Sequence, residues 1–363
     1  MPERPYVPGP DDAAVLALRA KVWGADHPHG SAAFFKWLFR DKPNGPGGGI
    51  ISHKDGQVLG FAGYCRRSAA IGSTRLRIAH ELEFMVDPDI SGILSGRVGM
   101  RVVSGIAKLV RELGYDSSLN FPNDNSHRML TSKLSRYEPV FSPDLFVRPL
   151  PGYTVSAEEY PSALKRLVMT IGGRAAASYS RIRAAGTAPG SGIEPITMFD
   201  ERFDDFWGRL QRDGRLRFMR DAKTLNWRYV GHPVYHYSIL AAASGGEISG
   251  YIVTSPRDVM GTRARLICDF AVAPDGPDTT RLRQSLLGAA IDEARASGAA
   301  AIVTECTQKD PVRGALARCG FLAIPPKLNP KPFRMVAKQF TDRGAATLHG
   351  DAWSFSWGDM DVV

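Results

Sequence analysis

The sequence predicts a mixed α/β (α+β) protein made of two tandem copies of one fold, each a mixed, largely antiparallel sheet flanked by helices. Three observations carry this. WLFRDKP (37–43) and WRYVGHP (227–233) open two stretches with the same order of features, in which Trp37 and Trp227, Pro43 and Pro233, Gly56 and Gly246, and Gly60 and Gly250 are each 190 positions apart. Farther on, HELEFMVDP (80–88) aligns with ICDFAVAP (267–274), setting Glu83 over Asp269, Phe84 over Phe270, Val86 over Val272 and Pro88 over Pro274 at a spacing of 186. Gly114 and Gly298, and then Tyr137 and Phe321, fall 184 apart, the stepwise drift that changes in loop length produce. The period is far too long for a solenoid. A chain of 363 residues suits two domains that each bury a core, placed at 1–150 and 196–363 with a linker over 151–195.

Within the first copy, DDAAVLALRAKVWG (11–24) carries apolar residues at helical spacing behind an Asp pair able to cap it. SAAFFKWLFR (31–40) reads as a second short helix, which the cluster NGPGGG (44–49) ends. GIISHK, GQVLGFAGYCRR and TRLRIAHELEFMVDP read as successive strands joined by tight turns. RVGMRVVSGIAKLVRELGY (97–115) repeats apolar residues every three to four positions, from Val98 through Val102 and Ile106 to Val110, and so predicts a long helix packed on the sheet. SSLNFP, HRMLTSKL and PDLFVRPL follow as strand, helix and closing strand.

The second copy repeats that order, from a helix at DERFDDFWGRLQ to a helix at VRGALARCGF. The tail DAWSFSWGDMDVV alternates Trp353, Phe355 and Trp357, which predicts a last strand with one buried aromatic face. Between the copies, residues 153–195 are partly helical in pattern and rich in small residues. Their Lys165, Arg166, Arg174, Arg181 and Arg183 read as a solvated basic helix, with contact to an anionic membrane as the sharper alternative.

A hydrophobic share of 44% and a charged share of 23% are those of a globular protein, with no run long enough to cross a bilayer and no leader pattern at MPERPYVPGPDD, so a cytoplasmic location is expected. Cys65, Cys268, Cys306 and Cys319 are scattered and form no CxxC, so reduced thiols are expected. The net charge of +9 implies attraction to anions, but without a helix-turn-helix, zinc spacing or RNA-binding aromatic motif nucleic acid ranks last. His27 and His29 form HPH in a loop without a helpfully spaced third ligand, so no metal is expected.

Helix, strands, a strand ending in V-x-P, a glycine-bearing loop, a long helix, a strand, and a short helix ending in Gly320 and Phe321: this order resembles the GNAT acetyltransferase superfamily, over nearly the whole chain and in two copies. Arg136 and Tyr137 take the Gly-Phe places in the first copy. The paired arrangement is also similar to tandem transferases of the Fem type, which transfer aminoacyl groups. The resemblance implies acetyl-CoA or another acyl-CoA as co-substrate, its pyrophosphate bound on backbone amides where the long helix begins. Helix N-termini hold phosphate in general, through unpaired N–H groups and the positive end of the dipole.

The superfamily's R-G-x-G-x-G pattern falls on Ser91, Gly92, Ile93, Leu94, Ser95 and Gly96, keeping two glycines, with Arg97 and Arg101 able to supply charge. In the second copy it falls on Pro277 to Leu282, with no glycine and with Asp278 facing an anion. The cofactor site is therefore expected in the first half, with Met85, Val86 and Asn125 as further contacts. FPNDNS, around Asn125, also reads as a turn and helix cap.

Alternation along HELEFMVDP puts Glu81, Glu83 and Met85 on one face, where two carboxylates could raise each other's pKa and take a proton from an ammonium acceptor. The resemblance favours Glu83 as that base. The competing reading pairs these glutamates with Arg66, Arg67, Arg75 or Arg77. The Tyr that many members carry on the last helix is replaced by Ser132 and Leu316, leaving Tyr137 or solvent as the acid. Asn120 and Asp269 are expected near the acceptor. The function expected is acyl transfer, with acetyl as the leading group, from CoA to a primary amine of a small molecule or peptide by direct attack. An aminoacyl or long-chain acyl transferase, or a catalytically silent binding module, is the alternative.

Overall fold

The computed structural model describes residues 2–24, 26–27, 30–158, 162–184, 192–259, 261–276, 278–329 and 332–360. The first half runs β1 (Glu3–Pro5), α1 (Asp12–Trp23), α2 (Ala32–Phe39), β2 (Gly48–Lys54), β3 (Gln57–Ile71), β4 (Thr74–Val86), α3 (Gly92–Glu112), β5 (Ser117–Asn120), α4 (Asp124–Leu130), β6 (Glu138–Phe141) and β7 (Asp144–Pro149). A long helix, α5 (Ala163–Arg183), leads to β8 (Ile193–Ile196), α6 (Arg202–Leu210), β9 (Arg217–Phe218) and α7 (Ala222–Leu225), which continues into a π-helical turn, Asn226–Val230. Then come β10 (Ser238–Ser244), β11 (Glu247–Val259), β12 (Thr262–Val272), α8 (Thr279–Ala296), β13 (Ala301–Cys306), α9 (Val312–Arg318), β14 (Leu322–Ala323) and β15 (Met335–Gln339).

Two mixed sheets result, each largely antiparallel, with orders β1-β2-β3-β4-β5-β15-β6 and β14-β7-β13-β12-β11-β10-β8. The parallel pairs are β4 with β5 and β12 with β13. Each sheet lends the other a strand. β7, expected to close the first copy, lies between β13 and β14, and β15 returns from the second half to lie between β5 and β6. The sheets therefore do not divide at residue 150.

The order of glycines shared by the two halves has two physical sources. Gly56 and Gly246 sit at φ +82 and +85 in hairpin turns, where L side chains are strained. Gly60 and Gly250 lie under the long helices: a Cβ on Gly60 would meet Val98 Cγ1 at 2.5 Å, and one on Gly250 would meet Leu286 Cδ1 at 3.0 Å. Val98, Val102, Ile106 and Val110 of α3 are all fully buried, and each contributes roughly 1.5–3 kcal/mol.

The halves share a core. Leu216 and Phe218 pack with Leu76, Ile78 and Trp353, and β9 pairs with β3. The tail differs from expectation: Trp353, Phe355 and Trp357 are buried, but Trp353 makes a single bridge with Leu216 and the flanking segments are 3-10 turns. Alternating aromatics require an extended chain over a core, not a ladder partner. Among the described residues no helix is long and apolar enough to cross a membrane.

Candidate functional site

β4 and β5 pair through Ile78↔Ser117, Ala79↔Ser118 and His80↔Leu119 and then separate, as β12 and β13 do beyond Leu266↔Val303. Opposite each opening the antiparallel register slips by one, between Phe61 and Gly63 in β3–β4 and between Val253 and Thr254 in β11–β12. Glu83, in the slipped stretch, has φ +57, a backbone conformation unusual for a residue with a side chain.

This bulge corrects the shared-face expectation for Glu81 and Glu83. Leu82 and Met85 pack among Phe35, Phe39 and Phe61, whereas Phe84 packs with Val102 and Ile106 beneath α3, so strict alternation is broken between them. Glu83 forms an ion pair with Arg19 of α1, whose buried guanidinium also lies over the rings of Trp23 and Phe35. Glu81 is fully buried and accepts from the Tyr137 hydroxyl, 2.7 and 2.6 Å from its two oxygens. Ser118 Oγ lies 3.2 Å from the same hydroxyl.

Burial pushes the Glu81 carboxyl up to about 7, against the opposing pull of the Tyr137 and Ser118 bonds. Burial, and then the Glu81 charge, raises Tyr137 well above the ordinary phenol value. The Tyr137 ring lines a cleft of about 220 Å³ with Ala107, Arg111, Ser135 and Lys338. Asn120 donates its side-chain amide to the Glu81 carbonyl at 2.5 Å, bridging the strands where they part.

Ser91 to Gly96 form the first turns of α3 rather than a separate loop, with Ser91 at the N-cap. The Ser91 side chain makes no capping bond, and the first turn carries no acidic residue. Gly92 has φ +61, and a Cβ on Gly92 or Gly96 would meet nothing within 4 Å, so the backbone there is open to approach. Ser91, Arg97 and Arg101 are exposed, Ser95 and Val86 are partly buried, and Met85 is buried. Asp87 and Asp89 on the approach are bound by Lys21 at 3.0 and 2.7 Å. These features fit a phosphate at the start of α3. Asn125 is exposed one position into α4, and its backbone N–H is accepted by the capping side chain of Asn123.

The second copy is closed at both corresponding places. Asp278 caps α8, accepting from the Arg281 amide at 2.9 Å, so its own carboxylate occupies the anion position. Ser354 to Ser356 lie across the opening between β12 and β13, leaving a cavity of about 30 Å³, room for water and no more. Asp269, expected near the acceptor, is buried and bonded by Arg220 (3.1 Å), Tyr229 (3.0 Å), Tyr251 (3.0 Å) and Ser356 (3.2 Å).

Sequence reasoning missed a buried cationic seam between the copies. Arg220 also pairs with Asp359 at 2.9 Å, Arg67 lies 3.6 Å from Asp359, and Lys42 Nζ sits 4.8 Å from the Trp227 ring centre. Burial lowers Lys42 to about 8 and Arg67 to about 10; burial, with the charges of Arg67, Lys42 and Arg228, holds His80 well below the usual imidazole value. Glu305, also missed, is pushed up to about 8 by burial. No sequence spacing joins Arg67 to Asp359. His29 and Pro277 lie outside the described residues, and among the described residues no cluster of His, Cys, Asp and Glu could hold a metal.

No family model and no curated protein matches the sequence. Solved structures do. A GCN5-related N-acetyltransferase from Anabaena variabilis ATCC 29413 superposes with a TM-score of 0.62 at 9% identity, covering 94% of this chain and 73% of that one. A conserved protein of unknown function from Enterococcus faecalis V583, described as a probable N-acyltransferase, gives 0.60 at 12% identity over 96% and 74%. A GCN5-related N-acetyltransferase from Kribbella flavida gives 0.55 at 15% identity over 93% and 71%. The chain thus has the GNAT fold over nearly its whole length, arranged as two sheets.

Proposed function

We propose that the chain is an acyl-CoA-dependent N-acyltransferase with one working site, in the first sheet, where an acetyl group passes to a primary amine. The observation that carries this reading is the contrast between the two long helices: α3 begins uncapped by any side chain beside an open strand pair, whereas Asp278 and the tail block the matching places at α8. The first-turn amides of Gly92, Ile93 and Leu94 would hold the pyrophosphate, with Ser95 and the open backbone at Gly96 beside it and Arg97 and Arg101 adding charge. Met85 and Val86 would flank the acyl arm along the unpaired edge of β4.

An acyl thioester supplies the electrophilic carbonyl; this chain's residues bind, orient and move a proton. Glu81, with its carboxyl near neutrality, is the proton acceptor in this reading, reached through the Tyr137 hydroxyl that is hydrogen-bonded to it. Glu83 is a positioning residue that ties β4 to α1 through Arg19. Asn120 fixes the mouth of the opening. Asp269 belongs to the static network of the second copy.

The full burial of Glu81 and Tyr137 favours a second reading, a GNAT-fold module that binds the nucleotide without turnover. Thiol release from acetyl-CoA across a panel of primary amines separates the two. Turnover that Glu81→Gln lowers by a hundredfold or so, within the usual range for a general base, supports the enzyme. Binding of acetyl-CoA with no thiol release on any amine supports the silent module.

A further inference from the structure

α5 presents its apolar side outward. Its inner side is made of small residues: Ala177 and Ser180 are buried, a Cβ on Gly173 would lie 2.0 Å from the Tyr153 ring, and one on Gly320 would lie 2.3 Å from the Ser180 carbonyl. On the opposite side Leu164, Leu167, Val168, Ile171 and Ile182 are between 56% and 71% exposed. Leu164, Leu167, Val168 and Ile171 are spaced by three, four and seven residues, and Ile182, eleven residues after Ile171, returns to the same side of the helix three turns on. Seven of the fifteen large apolar side chains exposed among the described residues lie on this helix, so the stripe is a local feature and not a general property of the surface.

Charge borders the stripe. At 100° per residue, Lys165 falls along one edge and Arg174 and Arg181 along the other, all exposed, and no Asp or Glu occurs from Ala163 to Arg183. An exposed apolar band with cations on both borders matches the level where acyl chains meet anionic headgroups. A second copy of the same helix would set cations against cations, which disfavours self-association through this face.

We propose that α5 is an interfacial anchor, lying in the plane of an anionic bilayer surface with Leu164, Leu167, Val168, Ile171 and Ile182 in the acyl boundary and Lys165, Arg174 and Arg181 at the phosphates. The helix lies on the membrane and does not span it. This proposal does not depend on the acyl-transfer reading, because vesicle binding needs neither CoA nor an amine.

The test is flotation of the full chain with phosphatidylcholine vesicles, with and without phosphatidylglycerol, at low and high salt. Expected is binding to the phosphatidylglycerol vesicles only, weakened by salt and reduced at least tenfold both in Leu167→Glu/Ile171→Glu and in Arg174→Glu/Arg181→Glu. All four side chains are exposed, and unchanged thermal midpoints of the variants would exclude unfolding as the cause. No binding to phosphatidylglycerol vesicles, or binding that either double variant leaves intact, overturns the proposal. A dimer in light scattering that Leu167→Glu/Ile171→Glu dissociates, without vesicle binding, assigns the stripe to self-association and overturns it equally.

Discussion

Trp37 and Trp227, the first residues of the two repeated segments, stack on each other with ring centres 4.4 Å apart and planes 9° from parallel. Each indole N–H donates to the other's backbone carbonyl, Trp37 to Trp227 at 2.9 Å and Trp227 to Trp37 at 3.2 Å. Equivalent residues meeting reciprocally are the mark of a pseudo-twofold axis, so the duplicated copies face each other as the subunits of an isologous dimer do.

The pair should therefore hold the copies together. Trp37→Ala is expected to cost about 3–5 kcal/mol, the usual range for emptying a buried Trp site. A double-mutant cycle with Trp227→Ala should give a coupling of roughly 0.5–3 kcal/mol, read from urea unfolding midpoints; additive losses would mean the stack does not join the halves.

The ion pair of Arg19 and Glu83 lies inside the first copy, with side chains 0% and 4% exposed. Glu83→Gln removes the carboxylate charge from this buried pair and should destabilise the fold by about 3–5 kcal/mol in chemical denaturation. A loss below about 1 kcal/mol would show that Arg19 finds compensation elsewhere.

Glu81 makes stability depend on pH. Its carboxyl is raised from the ordinary 4.5 to about 7, so the folded chain holds this proton more tightly than the unfolded chain. The resulting stabilisation is fully present below the unfolded value and is lost as pH rises to about 7, a change of about 3 kcal/mol. Glu81→Gln removes that titration. Its unfolding free energy should fall less than that of the parent protein between about pH 5 and pH 7, leaving the similar loss from Glu305, which extends to about 8. Parallel pH profiles for parent and variant would contradict this.

Much of the fold was legible because its anchors have local causes. Gly56 and Gly246 answer to backbone dihedral angle, Gly60 and Gly250 to helix contact, and α3 to its 3.6-residue period. The exchange of β7 and β15 was not legible, since a short apolar strand does not encode which sheet it will join. At the site, the long helix after the V-x-P strand was legible, but its start at Gly92 rather than Arg97, the parting of β4 from β5 and the bulge at Glu83 were not: a period of two cannot reveal an inserted residue, and that residue separates the two glutamates. The pairing of Arg67 and Arg220 depends on Asp359 at the far end of the chain, beyond any local pattern.

Hydrogen exchange of the full chain, with and without acetyl-CoA, reads at which helix start the nucleotide sits. Slower exchange at the amides of Gly92 to Arg97, with Thr279 to Arg283 unchanged, is the expected result. Slowing at Thr279 to Arg283 instead, or at neither helix start under conditions where acetyl-CoA is bound, would contradict it.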